Sequence, residues 1–223
     1  DTADVYCLSD EDIGHNERLM ATALSTWNGP RSEVLVATKG GMTRPDGRWD
    51  RNGRPDHLRR ACDRSLKALG VDRIDLYQFH WPDDIGTGVA HLWDTMLRLV
   101  QEGKVRWVGV CNFDVGLLNR CAARGGLQSL QPPFSPIRRK VAAAELPWCA
   151  AHGVGVIAYS PMQSGPLTDG FSAARLAALP PDDYRHRGSE FTAPRFAPNL
   201  ALRDGLAPVA AAARSQINQP VRQ

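Results

Sequence analysis

Pro55–Asp83, PDHLRRACDRSLKALGVDRIDLYQFHWPD, decides the fold. Proline opens it at a position where the first turn of a helix has no use for an amide N–H, and Gly70 stands where a left-handed residue ends a helix. Between them Leu58, Ala61, Cys62, Ser65, Leu66 and Leu69 recur at steps of three and four, so Pro55–Leu69 is expected to be a helix with one apolar face. Beyond Gly70 the pattern changes. Ile74–Phe79 (IDLYQF) is a short apolar run of strand length that stops at His80 and the loop WPD. A helix, a glycine stop and a buried strand in direct succession make up a repeat of a parallel α/β sheet.

The same alternation runs outward in both directions. Strands are expected at Val34–Thr38, Val105–Val110, Leu127–Gln131 and Val154–Tyr159, apolar throughout as parallel strands buried on both faces are. Helices are expected at His15–Trp27, Val89–Gln101, Val115–Ala123, Ala142–Ala151 and Leu200–Ala213. The fold class is α/β, a (β/α)8 TIM barrel, over a single domain of residues 1–223. Five strands are clear and a sixth is expected to end at DTA, whereas a closed barrel needs eight, so a first βα unit and a last strand are expected outside the given chain. Two origins fit, a shortened chain or segments closed up in the numbering, and the second is the expectation taken here. Gly40–Gly53 and Gln163–Asn199, rich in Gly, Pro and Asp, are expected to be loops on the C-terminal face, where barrels of this kind carry their sites.

Composition narrows the class of partner. Lys and Arg number 27 against 24 Asp and Glu, a net charge of +3 spread along the chain, which does not argue for nucleic acid. The five cysteines are widely spaced and form no CxxC pair, so reduced thiols in a cytoplasm are expected and no metal site is. No apolar run approaches the roughly 20 residues that cross a bilayer.

Asp1 and Tyr6 (DTADVY), Lys39 (VLVATKGG) and His80 (DLYQFHWPD) stand at or just beyond strand ends. Each alone would read as packing or a satisfied polar group. In a barrel all four project into one mouth, and together they suit the reduction of a carbonyl, in which hydride reaches carbon while an acid protonates the oxygen. A tyrosine, with an ordinary pKa of about 10, is a weak acid near neutrality unless a cation lowers it. Lys39 can supply that charge, Asp1 can hold Lys39, and His80 can orient the carbonyl oxygen.

At these residues the chain resembles the aldo-keto reductase family, and the likeness covers nearly its whole length. DTADVY, ATKGG, RSLKALGVDRIDLYQFHWPD, EGKVRWVGVCNFD, LQPPFS and HGVGVIAYSPMQSG look like that family's successive strand-end motifs in order. The resemblance implies a catalytic tetrad of Asp1, Tyr6, Lys39 and His80, with NADPH (NADP+) as cofactor and a small carbonyl compound as substrate. It also implies that Asn112 and Gln131 hydrogen-bond the nicotinamide carboxamide and that Tyr159 stacks on the ring. By the same likeness Ser160, Met162, Gln163 and Ser164 line the pyrophosphate. In the tail Arg214 would face the 2′-phosphate, with Gln216 and Gln219 at the adenine, although a solvated terminus explains those residues almost as well. Three positions depart from the family pattern: Cys111 where Ser is usual, Cys7 where Gly is, and Pro166 within the usual GLLT run.

Gly153–Ala158 (GVGVIA) satisfies G-x-G-x-x-A but lies within an expected strand, so it is not a dinucleotide fingerprint. Arg138–Lys140 reads as a surface flank of a helix. The other function the resemblance embraces is a nicotinamide-binding regulatory subunit of the potassium-channel β type. A metal-dependent hydrolase would need several His and Asp ligands at strand ends, and only His80 is offered. The substrate, the preference between NADPH and NADH, and the oligomeric state are not legible.

Overall fold

The structure is a computed structural model that describes residues 1–83 and 88–212. Its described residues gather into two compact units, residues 1–132 with 141–157, and residues 133–140 with 158–212.

In the first unit, β1 (Ala37–Gly40), β4 (Ile74–Phe79), β5 (Val105–Cys111), β6 (Leu127–Gln131) and β7 (Gly155–Val156) form one parallel sheet in that order. Between them run α2 (Pro55–Leu69), α3 (Val89–Gln101), α4 (Val115–Ala122) and α5 (Glu145–His152), with α1 (His15–Ser25) preceding β1. This is the βα repeat of a (β/α)8 barrel. Helix α2 starts with Pro55 in its first turn and ends on Gly70 in the left-handed region, φ 66°, as the sequence chemistry requires. It buries Leu58, Ala61, Cys62, Ser65 and Leu69, the expected face, and His57 as well. Helix α3 buries Leu92, Trp93, Met96 and Leu99 against the same core as Tyr77, Phe79, Val108, Val110 and Leu130 of the sheet.

Period-two alternation splits each strand between two environments. Tyr77 and Phe79 join the helix-packed core, while Gln78 between them is buried among polar groups. One row of the ladder reads Lys39, Gln78, Gly109, Ser129 and Gly155 from strand to strand. Gly109 is required there. A Cβ on it would lie 2.0 Å from Ser129 Oγ, the atom that donates to Gln78 Oε1 at 3.2 Å.

Several boundaries differ from expectation. The strand expected at Val34–Thr38 runs Ala37–Gly40, because Arg31–Glu33 is a 3-10 turn and the Val36 amide donates to the Asp75 carboxylate instead of a neighbouring strand. The run Val154–Tyr159 keeps only Gly155–Val156 as strand, since its partner β6 gives way to Pro132 and Pro133, which have no N–H to offer. DTA is extended without being a strand, yet it lies along β1: the Thr2 amide donates to Ala37 O at 2.9 Å and the Asp4 amide to Lys39 O at 3.3 Å. The loop Gly40–Gly53 contains an antiparallel hairpin, β2 (Met42–Thr43) with β3 (Asp50–Arg51), whose only ladder is its own.

In the second unit the segment expected to be a loop from Gln163 to Asn199 includes a short helix, α6 (Ala173–Ala177), a 3-10 turn at Tyr184–His186, and the start of α7 (Phe196–Ala212). Edge-to-face contacts of Phe171 with Phe191 and Phe196 give that unit a small aromatic centre.

Candidate active site

Lys39 is the centre of the strand-end group. It is 1% exposed, and its Nζ donates to Asp1 Oδ2 at 2.6 Å and to the Thr2 carbonyl at 2.7 Å. Its third contact is Tyr6 Oη, at 3.4 Å. A buried ammonium has three protons to place, and all three directions meet oxygen. The first two contacts exist because residues 1–4 lie along β1. Tyr6 follows in the turn that leaves this edge, its ring partly exposed and edge-on to His80, with centroids 5.6 Å apart.

His80 closes β4, and its amide donates to Gly40 O at 3.0 Å. Burial, reinforced by the Lys39 charge, pulls its imidazole down to about 3, so the ring is neutral throughout the physiological range. Its Nδ1 is buried with no protein hydrogen-bond partner among the described residues. The structure thus brings together all four residues read as a tetrad.

It also brings Gln131 to Asp1 and adds Gln78 and Trp49, which the motifs do not single out. The Asp1 carboxylate receives Gln78 Nε2 at 3.4 Å and Gln131 Nε2 at 3.3 Å on the oxygen that Lys39 leaves free. Gln78 is in turn held by Ser129. The signal for Gln78 was available: a fully polar side chain inside an apolar strand, two positions before His80 and hence on the same face. Trp49, on the turn of the β2–β3 hairpin, stands edge-on to Tyr6 with centroids 6.4 Å apart.

Asn112 directly follows β5 and Gln131 ends the adjacent strand β6, and the Asn112 amide donates to Gln131 O at 3.1 Å. Asn112 Nδ2 donates to the His80 carbonyl at 3.2 Å. Gln131 Oε1 accepts from the Cys111 thiol at 3.9 Å, a weak donor that leaves acceptor capacity. Cys111 itself is pushed up to about 12 by burial and is inert as a nucleophile.

The residues implied for the pyrophosphate lie in the second unit. Ser160, Gln163 and Ser164 have φ of 53°, 52° and 59°, and Gly165 follows at 135°. Asn112, at 62°, and Asp46 are the other non-glycine residues with positive φ among those described. Four of these five are therefore residues that the resemblance ties to the cofactor, and such conformations gather at ligand sites. Gln163 is buried, held by the Ser135 hydroxyl donating to its Oε1 at 3.3 Å, and the Tyr159 carbonyl accepts the Phe134 amide. Met162 closes the turn through its carbonyl, which accepts the Gly165 amide at 3.0 Å. Arg214, Gln216 and Gln219 fall outside the described residues.

A model of the aldo/keto reductase family matches residues 1–200. Among curated proteins the chain is 29% identical over 196 residues to the aldo-keto reductase YhdN of Bacillus subtilis, covering 88% of this chain and 56% of that protein. Among solved structures, a glycerol dehydrogenase from Gluconobacter oxydans is 30% identical with a TM-score of 0.85, over 96% of this chain and 64% of its own. An aldo/keto reductase from Klebsiella pneumoniae, solved with NADP and acetate, is 25% identical with a TM-score of 0.61, over 97% of this chain and 61% of its own. The chain thus spans somewhat more than half the length of these relatives.

Proposed function

The chain belongs to the aldo/keto reductase family, and on that premise we propose that it reduces a small aldehyde or ketone to the alcohol, with Tyr6 as the acid and NADPH as cofactor. The observation that carries this reading is the buried Lys39 with its three oxygens, Asp1, Thr2 and Tyr6. When bound, the dinucleotide supplies a hydride to the carbonyl carbon. The residues of this chain manage the oxygen. Tyr6 Oη gives it a proton, and the phenolate left behind sits beside the Lys39 cation until solvent restores the proton.

Asp1 holds Lys39 in place, and Gln78 and Gln131 hold Asp1. His80, neutral and with Nδ1 enclosed, has Nε2 left to donate a hydrogen bond to the carbonyl oxygen, which is orientation without competition for the proton. The donor set suits a nicotinamide: Gln131 Oε1 has room for an amide N–H, and Asn112 and Gln131 offer paired amides at neighbouring strand ends. In the second unit Ser160, Gln163 and Ser164, the residues implied for the pyrophosphate, all take left-handed angles of the kind that gather at ligand sites, in keeping with that role. The NADP-bound Klebsiella relative supports this cofactor. Five unpaired cysteines accord with a cytoplasmic setting.

The test is oxidation of NADPH and NADH, each followed with a panel of aldehydes and ketones that includes glyceraldehyde. Turnover of at least one carbonyl, faster with NADPH, is expected. No oxidation of either dinucleotide by any member of the panel overturns the reading.

A further inference from the structure

We infer that Asp4 is a positioning residue: paired with Glu17 behind β1, it keeps a proton that fastens the segment bearing Asp1 and Tyr6, and alkali loosens that segment by removing the proton. For its effect on turnover the inference rests on the reading of Tyr6 as the proton donor.

Strand β1 separates two polar sets. Lys39 points to the tetrad, while its neighbours Thr38 and Gly40 face the helices, where a Cβ on Gly40 would lie 1.9 Å from Tyr77 Oη. On that outer side Asp4, Glu17, Thr38, Ser65 and Tyr77 are all 0% exposed. The Thr38 hydroxyl donates to Glu17 Oε1 at 2.5 Å. Ser65 Oγ lies beside Glu17 without reaching hydrogen-bonding geometry. Tyr77 Oη, Glu17 Oε2 and both carboxylate oxygens of Asp4 are likewise buried with no hydrogen-bond partner among the described residues.

An ionised carboxylate without a donor is costly in such a place, whereas a protonated one is neutral and can itself donate. Glu17, which has the Thr38 hydroxyl, is the anion of the pair; Asp4, which has no donor, keeps the proton. Burial, and after it the Glu17 charge, pushes the Asp4 carboxyl well above the usual carboxylate range. Burial raises Glu17 as well, against the Thr38 hydrogen bond that favours its anion. The cations nearby are engaged or open to solvent: Arg18 of α1 pairs with Asp12, and Arg64 of α2 is exposed. The other titratable groups around the pair are His57 and Cys62 of α2, Tyr77 of β4 and Cys7 of the same segment. Burial raises the two thiols and the phenol and lowers the imidazole, so all four are uncharged at neutral pH.

The Asp4 side chain cannot leave alone. Its amide donates to Lys39 O at 3.3 Å and its carbonyl accepts the Gly14 amide at 2.7 Å, while the Thr2 hydroxyl donates to Asn16 Oδ1 at 2.7 Å. A charged Asp4 drawn toward water would pull on the first two of these bonds. Asp1 and Tyr6 stand on either side of it in the same short segment.

The experiment follows amide hydrogen exchange in the whole chain from about pH 6 to about pH 10, corrected for the chemical rate, in the wild type, Asp4→Asn and Glu17→Gln. In the wild type, protection of the Asp4 and Gly14 amides should fall by up to about tenfold per pH unit, the slope of one released proton, while that of Val108 and Val110 in β5 holds. Asp4→Asn removes the titration and Glu17→Gln removes the second charge, so either should flatten the profile. A flat wild-type profile overturns the inference, as does a fall that persists in both variants. Flattening by one variant alone assigns the effect to a single carboxyl and overturns the pair. Should one variant fail to fold, the wild type and the other variant decide. The functional arm is reduction of glyceraldehyde with NADPH. Relative to its value at pH 6, kcat should decline along the exchange profile in the wild type and be held to higher pH in Asp4→Asn. Equal kcat profiles beside the expected exchange profiles overturn the positioning role. Absence of turnover at every pH sinks the reading of Tyr6 instead, and the exchange profiles then decide the buried pair on their own.

Discussion

Asp1, Lys39, Gln78 and Gln131 are held by a ladder; Ser160, Gln163 and Ser164 are held by turns. In the first region Asp1 stands on the extended segment hydrogen-bonded along β1 and the other side chains leave parallel strands whose neighbours fix their height, so Lys39, Gln78 and Ser129 fall in one row without any unusual backbone angle. In the second, three residues in the segment from 160 to 164 take left-handed angles that their Cβ atoms disfavour, and hydrogen bonds such as Gln163 amide to Ser160 O hold them there. On the proposed function, the groups nearest the reacting carbonyl stand on the stiffer device and those that wrap the dinucleotide on the more adaptable one.

Four outcomes would sharpen or break that contrast. The largest is Tyr6→Phe: carbonyl reduction should fall on the order of 10²-fold or more while NADPH affinity stays, because the proton is lost and the ring is kept. Turnover within a few-fold of wild type would remove Tyr6 from the chemistry. Next is His80. Its folded pKa of about 3 lies below the unfolded value of 6.5, so as pH falls below 6.5 the unfolded chain takes up a proton that the fold refuses.

Stability should therefore fall with acid through that window, by about 2 kcal/mol between pH 6.5 and 5 from this group. Denaturant unfolding at several pH values should show the slope reduced in His80→Gln, and an identical slope in both proteins would place the ring outside the buried set. Gly109→Ala comes third, at roughly 1–3 kcal/mol of stability, since the added methyl collides with Ser129. Adding Ser129→Ala should recover part of the loss, while full additivity would show that the row is not coupled. The smallest belongs to the turns. Ser164→Gly relieves a left-handed Cβ and loosens the unfolded chain, so stability should move by less than about 1 kcal/mol. A loss of several kcal/mol on thermal unfolding would mean that the Ser164 side chain holds the turn.

The same contrast explains what the sequence made legible. Pro55–Leu69 and Ile74–Phe79 are legible to the residue because helix punctuation and strand alternation are local properties, and the placing of His80 just beyond β4 is legible with them. β1 was misplaced because a side chain, Asp75, takes the amide that apolar patterning assigns to the ladder. Gln78 carries a local mark, a polar side chain in an apolar strand, but its partner Ser129 does not, because their bond depends on the gap at Gly109, a feature of three strands together. The hairpin was hidden in a stretch of Gly, Pro and Asp whose two strands are only two residues long. Left-handed angles at Ser160, Gln163 and Ser164 have no compositional mark, since none is glycine or asparagine.

The β2–β3 hairpin shares no ladder with the five-stranded sheet. Residues 42–51 are therefore an exchangeable cassette. Insertions or wholesale grafts between Gly41 and Asn52, which the Asn52 amide already ties to Gly41 O at 2.9 Å, leave the row from Lys39 to Ser129 untouched. Change at this one address can thus be absorbed while the strands keep their register, and only the contacts of the hairpin with Tyr6 and Trp81 have to be remade.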